Sequence, residues 1–462
     1  MMRVYIFILS TLPFLLQAQM TGMMGHFDQL PQNISANPAI DLEGHLHIGI
    51  PLLNHFYLGH RDNFLNSEEI FTIENGQAKV DVPQFLNSFE GDALTAQQFR
   101  WDALFIGWQK KKYYYHIRLS QRAHTIARVP KDLFRLAFYG NAGDYEFPNG
   151  RVDLSSLDFR GQHYSELVFG VQRALNDRIR LGINTKYLLG GNVFQTNISS
   201  LLLETDPMTY DLSGVAASQI YLGGMGNEGY QFSLTGNAGL GMDIGMTYHP
   251  SKQLHFQFSV MDLGWINWRK GIDRYETQQT ELSFVGIAVT DFIFDASLDF
   301  GSEFNNRLDS TLMAIESEID LEEGSGRLLT SLPSYFRFGM EYNLLEKGIH
   351  ASKLYGNLIA GLGNDLIPIR ISAGYIHSFW DQLQIGIQFS QQDWGPLNFG
   401  GGVSAQVGIF QLFMMVENVG VFQFDSFKNG QNGQSYFWPV RSDDLRLQLG
   451  FNLSFSGKDG DI

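Results

Sequence analysis

The sequence predicts an all-β fold: a transmembrane antiparallel β-barrel of about 14 strands, with an N-terminal plug segment and short helices in its loops. The clearest strand is 445–455, where Leu or Phe alternates with Arg, Gln, Gly, Asn and Ser. Side chains alternate across a strand, so one face is apolar, and eleven residues is about the length of a tilted membrane-spanning strand. Composition agrees, because 37 Phe, 19 Tyr and 49 Gly accompany only 17% charged residues.

The N-terminus has the layout of a secretory signal peptide. Arg3 precedes an apolar core at 4–16, and Gln17-Ala18-Gln19 offers a small-residue cleavage site after Ala18. We therefore expect residues 1–18 to be removed and the chain to be exported to the cell outer membrane. A retained N-terminal anchor is the alternative, although the apolar stretch is short for a spanning helix.

Composition also excludes several classes of site. The sequence contains no Cys, which excludes disulfides and thiolate metal ligands. Its net charge of −16 argues against nucleic acid, whose phosphates require Lys and Arg. His45 and His47 share a strand face, but a position in the lumen or at its rim is favoured over a metal site. We expect no metal, no cofactor and no catalysis.

The segment 19–43 precedes the first strand and lacks alternation. It is polar, rich in Gly, and contains Asn37-Pro38-Ala39. We interpret it as a plug inside the lumen or a periplasmic segment, with a disordered tail as the alternative. The barrel then runs over 44–456, and 457–462 forms a C-terminal tail.

Alternating patterns and turn residues divide the barrel into strands. Pro51 is interpreted as the bend of a first short hairpin. The predicted strands are 44–50, 55–60, 98–109, 112–122, 163–173, 178–189, 192–203, 239–248, 254–260, 281–289, 335–343, 353–363, 369–377, 382–391, 397–407, 409–418 and 445–455. Residues 130–140 read as a short helix, with Pro at the first turn and Gly at the end, and 61–95 as a short helix or an inserted loop.

Residues 291–325 break the strand pattern. They hold ten acidic residues and one basic residue, Arg307. Leu308, Leu312, Ile315 and Ile319 recur at helical spacing, which predicts an amphipathic helix in a long outer loop. The acidic residues lack the spacing of an EF-hand, so a solvated loop is favoured over a Ca²⁺ site.

The inner faces of the strands are polar, which separates a membrane barrel from a soluble β-sandwich. Five arginines on these faces are candidates for lining the lumen: Arg100, Arg118, Arg180, Arg337 and Arg370. They would either tune permeation by their charge or pair with acidic neighbours in the wall.

Asp262 follows a strand of membrane-spanning length and precedes Leu263, Gly264, Trp265 and Trp268. We interpret this box as a structural turn in which the Asp side chain bonds nearby backbone and the two Trp rings anchor at the membrane interface. Contact of Trp265 or Trp268 with a ligand is the alternative.

Four motifs carry a resemblance to a known family. They are Asn37-Pro38-Ala39, the box Asp262–Trp268, the stretch Leu332–Tyr342, and Lys131-Asp-Leu-Phe followed by Tyr139-Gly-Asn. The chain resembles an outer-membrane barrel family of Bacteroidota with no assigned function, and more distantly the long-chain fatty-acid transporter (FadL-like) superfamily. That superfamily includes a barrel that shuttles cargo for type 9 secretion. The resemblance implies a 14-stranded barrel with an N-terminal plug.

Two functions remain open. The first is passive transport of small or hydrophobic solutes across the outer membrane. The second is a non-transporting barrel that scaffolds a surface or secretion complex with partner proteins. Outer-membrane lipid is an expected partner in both cases, as is the barrel-assembly machinery through the closing strand Leu445–Phe455. A soluble exported β-protein is the third alternative.

Overall fold

The computed structural model describes residues 22–42, 44–64, 71–74, 77–139, 150–206, 208, 211–224, 236–284, 321–345, 350–363, 366–380, 382–393, 397–417, 424–428, 435–439 and 444–455. The predicted signal peptide, the C-terminal tail and most of the acidic segment lie outside these residues. None of the helices among them is long and apolar enough to cross a membrane.

Strands dominate the described chain. They are β1 (Leu46–Gly49), β2 (His55–Asp62), β3 (Phe71–Glu74), β4 (Gln77–Val80), β5 (Ala93–Lys110), β6 (Tyr113–Val129), β7 (Arg151–Asp153), β8 (Asp158–Ala174), β9 (Ile179–Thr205), β10 (Leu212–Gly223), β11 (Asn237–Tyr248), β12 (Leu254–Trp268), β13 (Ile272–Phe284), β14 (Leu321–Ser325), β15 (Leu328–Ser331), β16 (Tyr335–Leu345), β17 (His350–Gly361), β18 (Arg370–Phe379), β19 (Leu383–Gln392), β20 (Asn398–Val407), β21 (Phe410–Glu417), β22 (Phe424–Lys428), β23 (Ser435–Pro439) and β24 (Asp444–Phe455). The helices are α1 (Val82–Asn87), α2 (Lys131–Tyr139) and two 3-10 helices, Met24–His26 and Pro31–Ser35.

Fourteen antiparallel strands close into a barrel, as the sequence predicts. In order around the wall they are β1 with β2, β5, β6, β8, β9, β11, β12, β16, β17, β18, β19, β20, β21 and β24. The last strand closes the ring by pairing with the first, with Leu46 opposite Phe455 and Phe56 opposite Leu449. Short turns connect strands at one end, called the short-turn end, and longer segments connect them at the other, called the long-loop end.

The two faces of the wall differ in polarity as the alternation predicts. In β19 the outward side chains Ile385, Ile387 and Phe389 are exposed, whereas the inward ones, Gln384, Gln388 and Ser390, are buried. A soluble sandwich would bury the apolar face instead. This barrel therefore has a polar interior and an apolar outer surface.

The first barrel strand corrects one prediction. We expected β1 and β2 to form a hairpin, but both pair with β5 on one side and β24 on the other, so they are one interrupted strand. Residues 50–54 form a bulge between them, opposite only two residues on each neighbouring strand. Pro51 has no N–H for the ladder, so the strand is interrupted without reversing direction.

The wall branches at the long-loop end. β9 is one strand of 27 residues, so the predicted strand 192–203 is its outer half. That half pairs with β10, β10 pairs with β13, and β13 pairs with β14. The inner half of β9 pairs with β11, and β15 pairs with β12. An apolar core that includes Trp268 and Tyr164 fills the space between the branches.

Two other predictions near this end have different outcomes. The helix predicted at 130–140 is confirmed as α2, and its Phe134 packs against Phe85 and Phe89 near α1. The helix predicted around 308–319 lies outside the described residues, whereas the last residues of the acidic segment, Leu321–Ser325, form strand β14. They pair with β13 in register, Asp273 opposite Ser325, because the branch leaves an edge of β13 free to accept another strand.

Residues 22–42, called the N-terminal segment, lie inside the barrel. Nearly all of them are buried, although they belong to no strand. Wall glycines make room for this segment: a Cβ at Gly182 would lie 2.1 Å from the carbonyl oxygen of Pro38, and one at Gly245 would lie 2.0 Å from Oδ1 of Asn37. These positions require the absence of a side chain.

The substitution Gly182→Ala tests this packing. The added methyl group meets backbone of the N-terminal segment, so we expect the free energy of unfolding in detergent micelles to fall by about 1–3 kcal/mol. Gly401→Ala is the control, because the nearest atom to its added Cβ is 3.8 Å away. Equal stability of the two variants would show that the segment does not pack against Gly182.

Candidate functional site

The interior of the barrel is the candidate site, and Asp262 lies at its centre. The side chain is buried, and each of its carboxylate oxygens accepts a hydrogen bond of 2.7 Å from Arg122. Lys186 donates to the same carboxylate. The backbone N–H of Asp262 donates to Oδ1 of Asp243 at 2.7 Å. Asp262 is therefore an interior anion with two cationic partners.

The predicted turn at Asp262 and the predicted interface anchor at Trp268 are wrong, whereas anchoring by Trp265 stays a prediction. Asp262 lies inside β12 with φ of +59°, where the register with β11 shifts. Such a bulge reverses which residues face inward. Gln257 and Ser259 face inward before the bulge, and Trp268 faces inward after it. Trp268 is consequently buried and bonded to Thr330, whereas Trp265 points outward and is 53% exposed.

The Asp262 contacts belong to a larger network of buried charges, called the central network. Glu166 accepts from Arg118 at 2.8 Å and from Arg122 at 2.7 Å, which joins β6 to β8. The network has four cations and four carboxylates: Arg100, Arg118, Arg122 and Lys186 with Asp102, Glu166, Asp243 and Asp262. Because these formal charges balance, the network can be buried without leaving a charge uncompensated.

The N-terminal segment is held by a second group of charges. Nδ1 of His26 lies 2.5 Å from Oε1 of Glu341, and the ring stacks on Tyr355 with centroids 4.3 Å apart. Burial lowers the pKa of His26 below its ordinary value, which favours a neutral ring at neutral pH. Lys353 donates to Asp28 at 2.7 Å and to Glu341 at 3.2 Å.

The Asn37-Pro38-Ala39 motif lies in the part of the N-terminal segment that is nearest the short-turn end of the barrel. Oδ1 of Asn37 accepts from the N–H of Ala39 at 2.9 Å, and its Nδ2 donates to the carbonyl oxygen of Met246 at 3.2 Å. One side chain thus fixes the local turn and bonds it to β11. The motif contacts the wall rather than leaving the barrel as a tail.

The five predicted lumen arginines are all bonded to polar or acidic groups. Arg100 and Arg118 both donate to the hydroxyl of Ser35, at 2.5 and 3.0 Å. Arg337 donates to Oε1 of Gln257 at 2.6 Å. The remaining two form ion pairs: Arg370 with Glu417 at 3.0 Å and Asp444 at 2.9 Å, and Arg180 with Asp41 at 2.5 Å. A role in permeation stays a prediction.

Sequence reasoning missed most of the central network. Glu166, Lys186 and Asp243 were not singled out, although each lies on the inward face of a strand. The sequence signal that identifies such residues is a charged side chain that alternates on the same strand face as polar, inward-facing neighbours. His45 and His47 were assigned to lumen or rim; His47 is buried and its Nδ1 lies 3.0 Å from the hydroxyl of Tyr114.

A cavity of about 240 Å³ remains at the long-loop end. Its lining is both polar and apolar: His124, Ile126, Arg160, Gln162, Phe194, Leu329, Thr330, Leu332 and Leu366 are among its residues. Within the described ranges, no group of three or more His, Asp and Glu side chains is arranged to hold a metal ion.

Comparison with known proteins identifies a family. A sequence model described as a family of unknown function, DUF5723, matches residues 38–417. No curated protein matches the sequence. A FadL homologue from Pseudomonas aeruginosa is similar in structure at 10% identity, with a TM-score of 0.43 and coverage of 95% of this chain and 99% of that one.

Two further solved structures are similar over most of their length. The toluene transporter TodX of Pseudomonas putida has 8% identity and a TM-score of 0.41, with 96% of this chain and 100% of that one covered. The toluene transporter TbuX of Ralstonia pickettii has 9% identity and a TM-score of 0.39, with 92% and 94% covered. At these identities the likeness concerns the fold alone.

The substitution Asp262→Asn tests the central network. It removes the charge that faces Arg122 and Lys186, so we expect a loss of about 3–5 kcal/mol in the free energy of unfolding, measured by denaturant titration in micelles. Glu204→Gln is the control, since Glu204 is exposed and lies 3.8 Å from Arg151. That variant should change stability by less than about 1 kcal/mol. Similar small losses in both variants would contradict the assigned network.

Proposed function

The chain belongs to this family of unknown function, and we propose that it is an outer-membrane barrel for the passage of small, partly apolar solutes. In this proposal the N-terminal segment is a movable stopper in the lumen. Export after removal of residues 1–18 would bring the chain to the outer membrane. The short-turn end would face the periplasm and the long-loop end the exterior, as is usual for such barrels.

The apolar outer surface supports the membrane location. Outward residues on strands far apart around the wall are exposed and aliphatic or aromatic, for example Leu240 and Ile244 on β11 and Phe389 on β19. Exposure of such a surface to water is energetically unfavourable, whereas the hydrocarbon core of a bilayer accommodates it. Both ends of the described barrel, β1 and β24, meet at the short-turn end.

The observation that carries the transport proposal is the cavity at the long-loop end. Its volume of about 240 Å³ is below the roughly 300–1,000 Å³ of pockets for drug-sized ligands, so it suits a small solute. Apolar walls from Phe194 and Leu329 would bind the body of the solute, and Gln162 and Thr330 would meet a polar group. A solute held there would be at the outer opening of the lumen.

Passage beyond the cavity would require movement inside the lumen. The central network and the N-terminal segment together occupy the interior, and the segment is bonded to opposite sides of the wall, by Gln32 to Asn452 at 2.6 Å and by His26 to Glu341 at 2.5 Å. These contacts are non-covalent, and hydrogen-bonded groups can exchange partners with water or solute. Displacement of the segment would therefore open a path without breaking the barrel.

Scaffolding is the second candidate, and the same filled lumen favours it. A barrel whose interior is bonded to its own N-terminal segment needs no solute to be stable. In that case the segment would be a permanent part of the core, and the long-loop end would serve as a surface for partner proteins. The two functions differ in whether the segment moves.

A disulfide between the N-terminal segment and the barrel wall distinguishes these two functions experimentally. The chain has no Cys, so the pair N37C/G245C would be its only disulfide. A Cβ at position 245 would lie 3.0 Å from Cγ of Asn37, within reach for bonded thiols. Formation is checked by the loss of free thiol, and solute influx into liposomes is then measured with graded sugars, amino acids and small aromatic compounds.

Transport with a movable stopper predicts influx with the reduced pair and at least about a tenfold slower influx with the oxidised pair. The wild-type chain, treated with the same oxidant, is the control and should be unaffected. No influx in any state would support scaffolding. Equal influx through the oxidised and reduced pairs would contradict the stopper.

A further inference from the structure

The short-turn end carries a one-sided concentration of positive charge. Three turns that are neighbours around the rim, 110–113, 173–178 and 249–253, contain six basic residues and one acidic residue, Asp177. We call these six the basic arc: Lys110, Lys111, Lys112, Arg173, Arg178 and Lys252. This is unusual in a chain of net charge −16.

The cations of the basic arc are exposed and have no anionic partner among the described residues. All six are exposed to solvent. In the part of the chain that the structure describes, none forms an ion pair, in contrast to nearby Arg180, which is bonded to Asp41. The carboxylates of the central network are already paired with Arg100, Arg118, Arg122 and Lys186, so the arc is not needed to balance them.

Aromatic rings adjoin the basic arc on the outer surface. The guanidinium of Arg173 lies 5.2 Å from the ring centroid of Tyr113, and Tyr113 stacks on Tyr115 at 5.9 Å. Trp108 stacks in turn on Tyr115 at 5.8 Å. Such rings occupy the interface between hydrocarbon and headgroups. The cations are therefore at the level of lipid phosphates.

The other half of the same rim lacks this charge. The segments of sequence that connect its strands, 346–349, 380–382 and 408–409, contain one basic residue, Lys347, and two acidic residues, Glu346 and Asp381. A general need for solubility would distribute charge around the whole rim. The difference indicates a localised anionic partner on the side of β5 to β12.

We propose that the basic arc binds the phosphate groups of anionic phospholipids in the leaflet at the short-turn end. Lys110 and Arg173 point outward beside the aromatic rings, and the turn residues Lys111, Lys112 and Arg178 extend toward the headgroups. Each cation near an anionic surface adds attraction, and the aromatic rings contact the adjacent acyl chains. The inference requires the barrel to lie in a membrane but not that any solute passes through it.

Lipid retention by the purified full chain tests this inference. The protein in detergent micelles is given equal amounts of dioleoylphosphatidylglycerol and dioleoylphosphatidylcholine, and bound lipids are counted by native mass spectrometry. We expect dioleoylphosphatidylglycerol, the anionic lipid, to be retained preferentially. The variant K110Q/K111Q/K112Q should lower that preference at least about tenfold, because each cation contributes separately. The variant K110R/K111R/K112R should keep it.

The matched control is R151Q/R269Q/K270Q, which removes three exposed cations from the long-loop end and should leave the preference unchanged. Heat-modifiable electrophoretic mobility verifies that each variant is a folded barrel. Equal retention of both lipids by the wild type, or an unchanged preference in the Gln variant of the arc, would overturn the inference. Arc-dependent binding of polyglutamate without any lipid preference would also overturn it and assign the arc to an acidic polypeptide. Because no influx is measured, failure here is distinct from failure of transport.

Discussion

Charge neutralisation inside a closed wall is the constraint on which the rest of this structure depends. Strands that present apolar side chains outward must present their polar ones inward, where they lose contact with bulk water. Each inward charge then needs a partner. Arg122 and Lys186 find theirs in Asp262, and Lys353 finds one in Asp28 of the N-terminal segment. The filled lumen follows from this requirement.

Much of the architecture could be predicted because it depends on local alternation. The barrel, its strand number and the helix Lys131–Tyr139 were all readable from periodicity and turn residues. The failures arose where a long-range contact overrides the local pattern. The bulge at Asp262 reverses the phase of β12 and accompanies the ion pair with Arg122, 140 residues away in sequence. Likewise, Pro51 reads as a turn, yet pairing on both sides keeps β1 and β2 in one line.

The candidate site was predictable only in part, for the same reason. Inward arginines can be found from the phase of a strand, but their partners come from different strands and from the N-terminal segment. Arg100 and Arg118, for instance, converge on Ser35, which no periodicity connects to them. This convergence also relates structure to function, since the contacts that stabilise the interior are those that any solute must displace. The basic arc, by contrast, would act on the outer rim and leave the lumen unchanged.

Hydrogen exchange of the backbone amides of residues 22–42 tests the central claim most directly. The measurement uses the full chain reconstituted in a lipid bilayer and follows each amide by peptide mass spectrometry. The account predicts exchange as slow as that of the barrel strands, since the segment is buried and bonded to the wall. Exchange at the rate of an unstructured peptide would contradict a lumen occupied by the N-terminal segment.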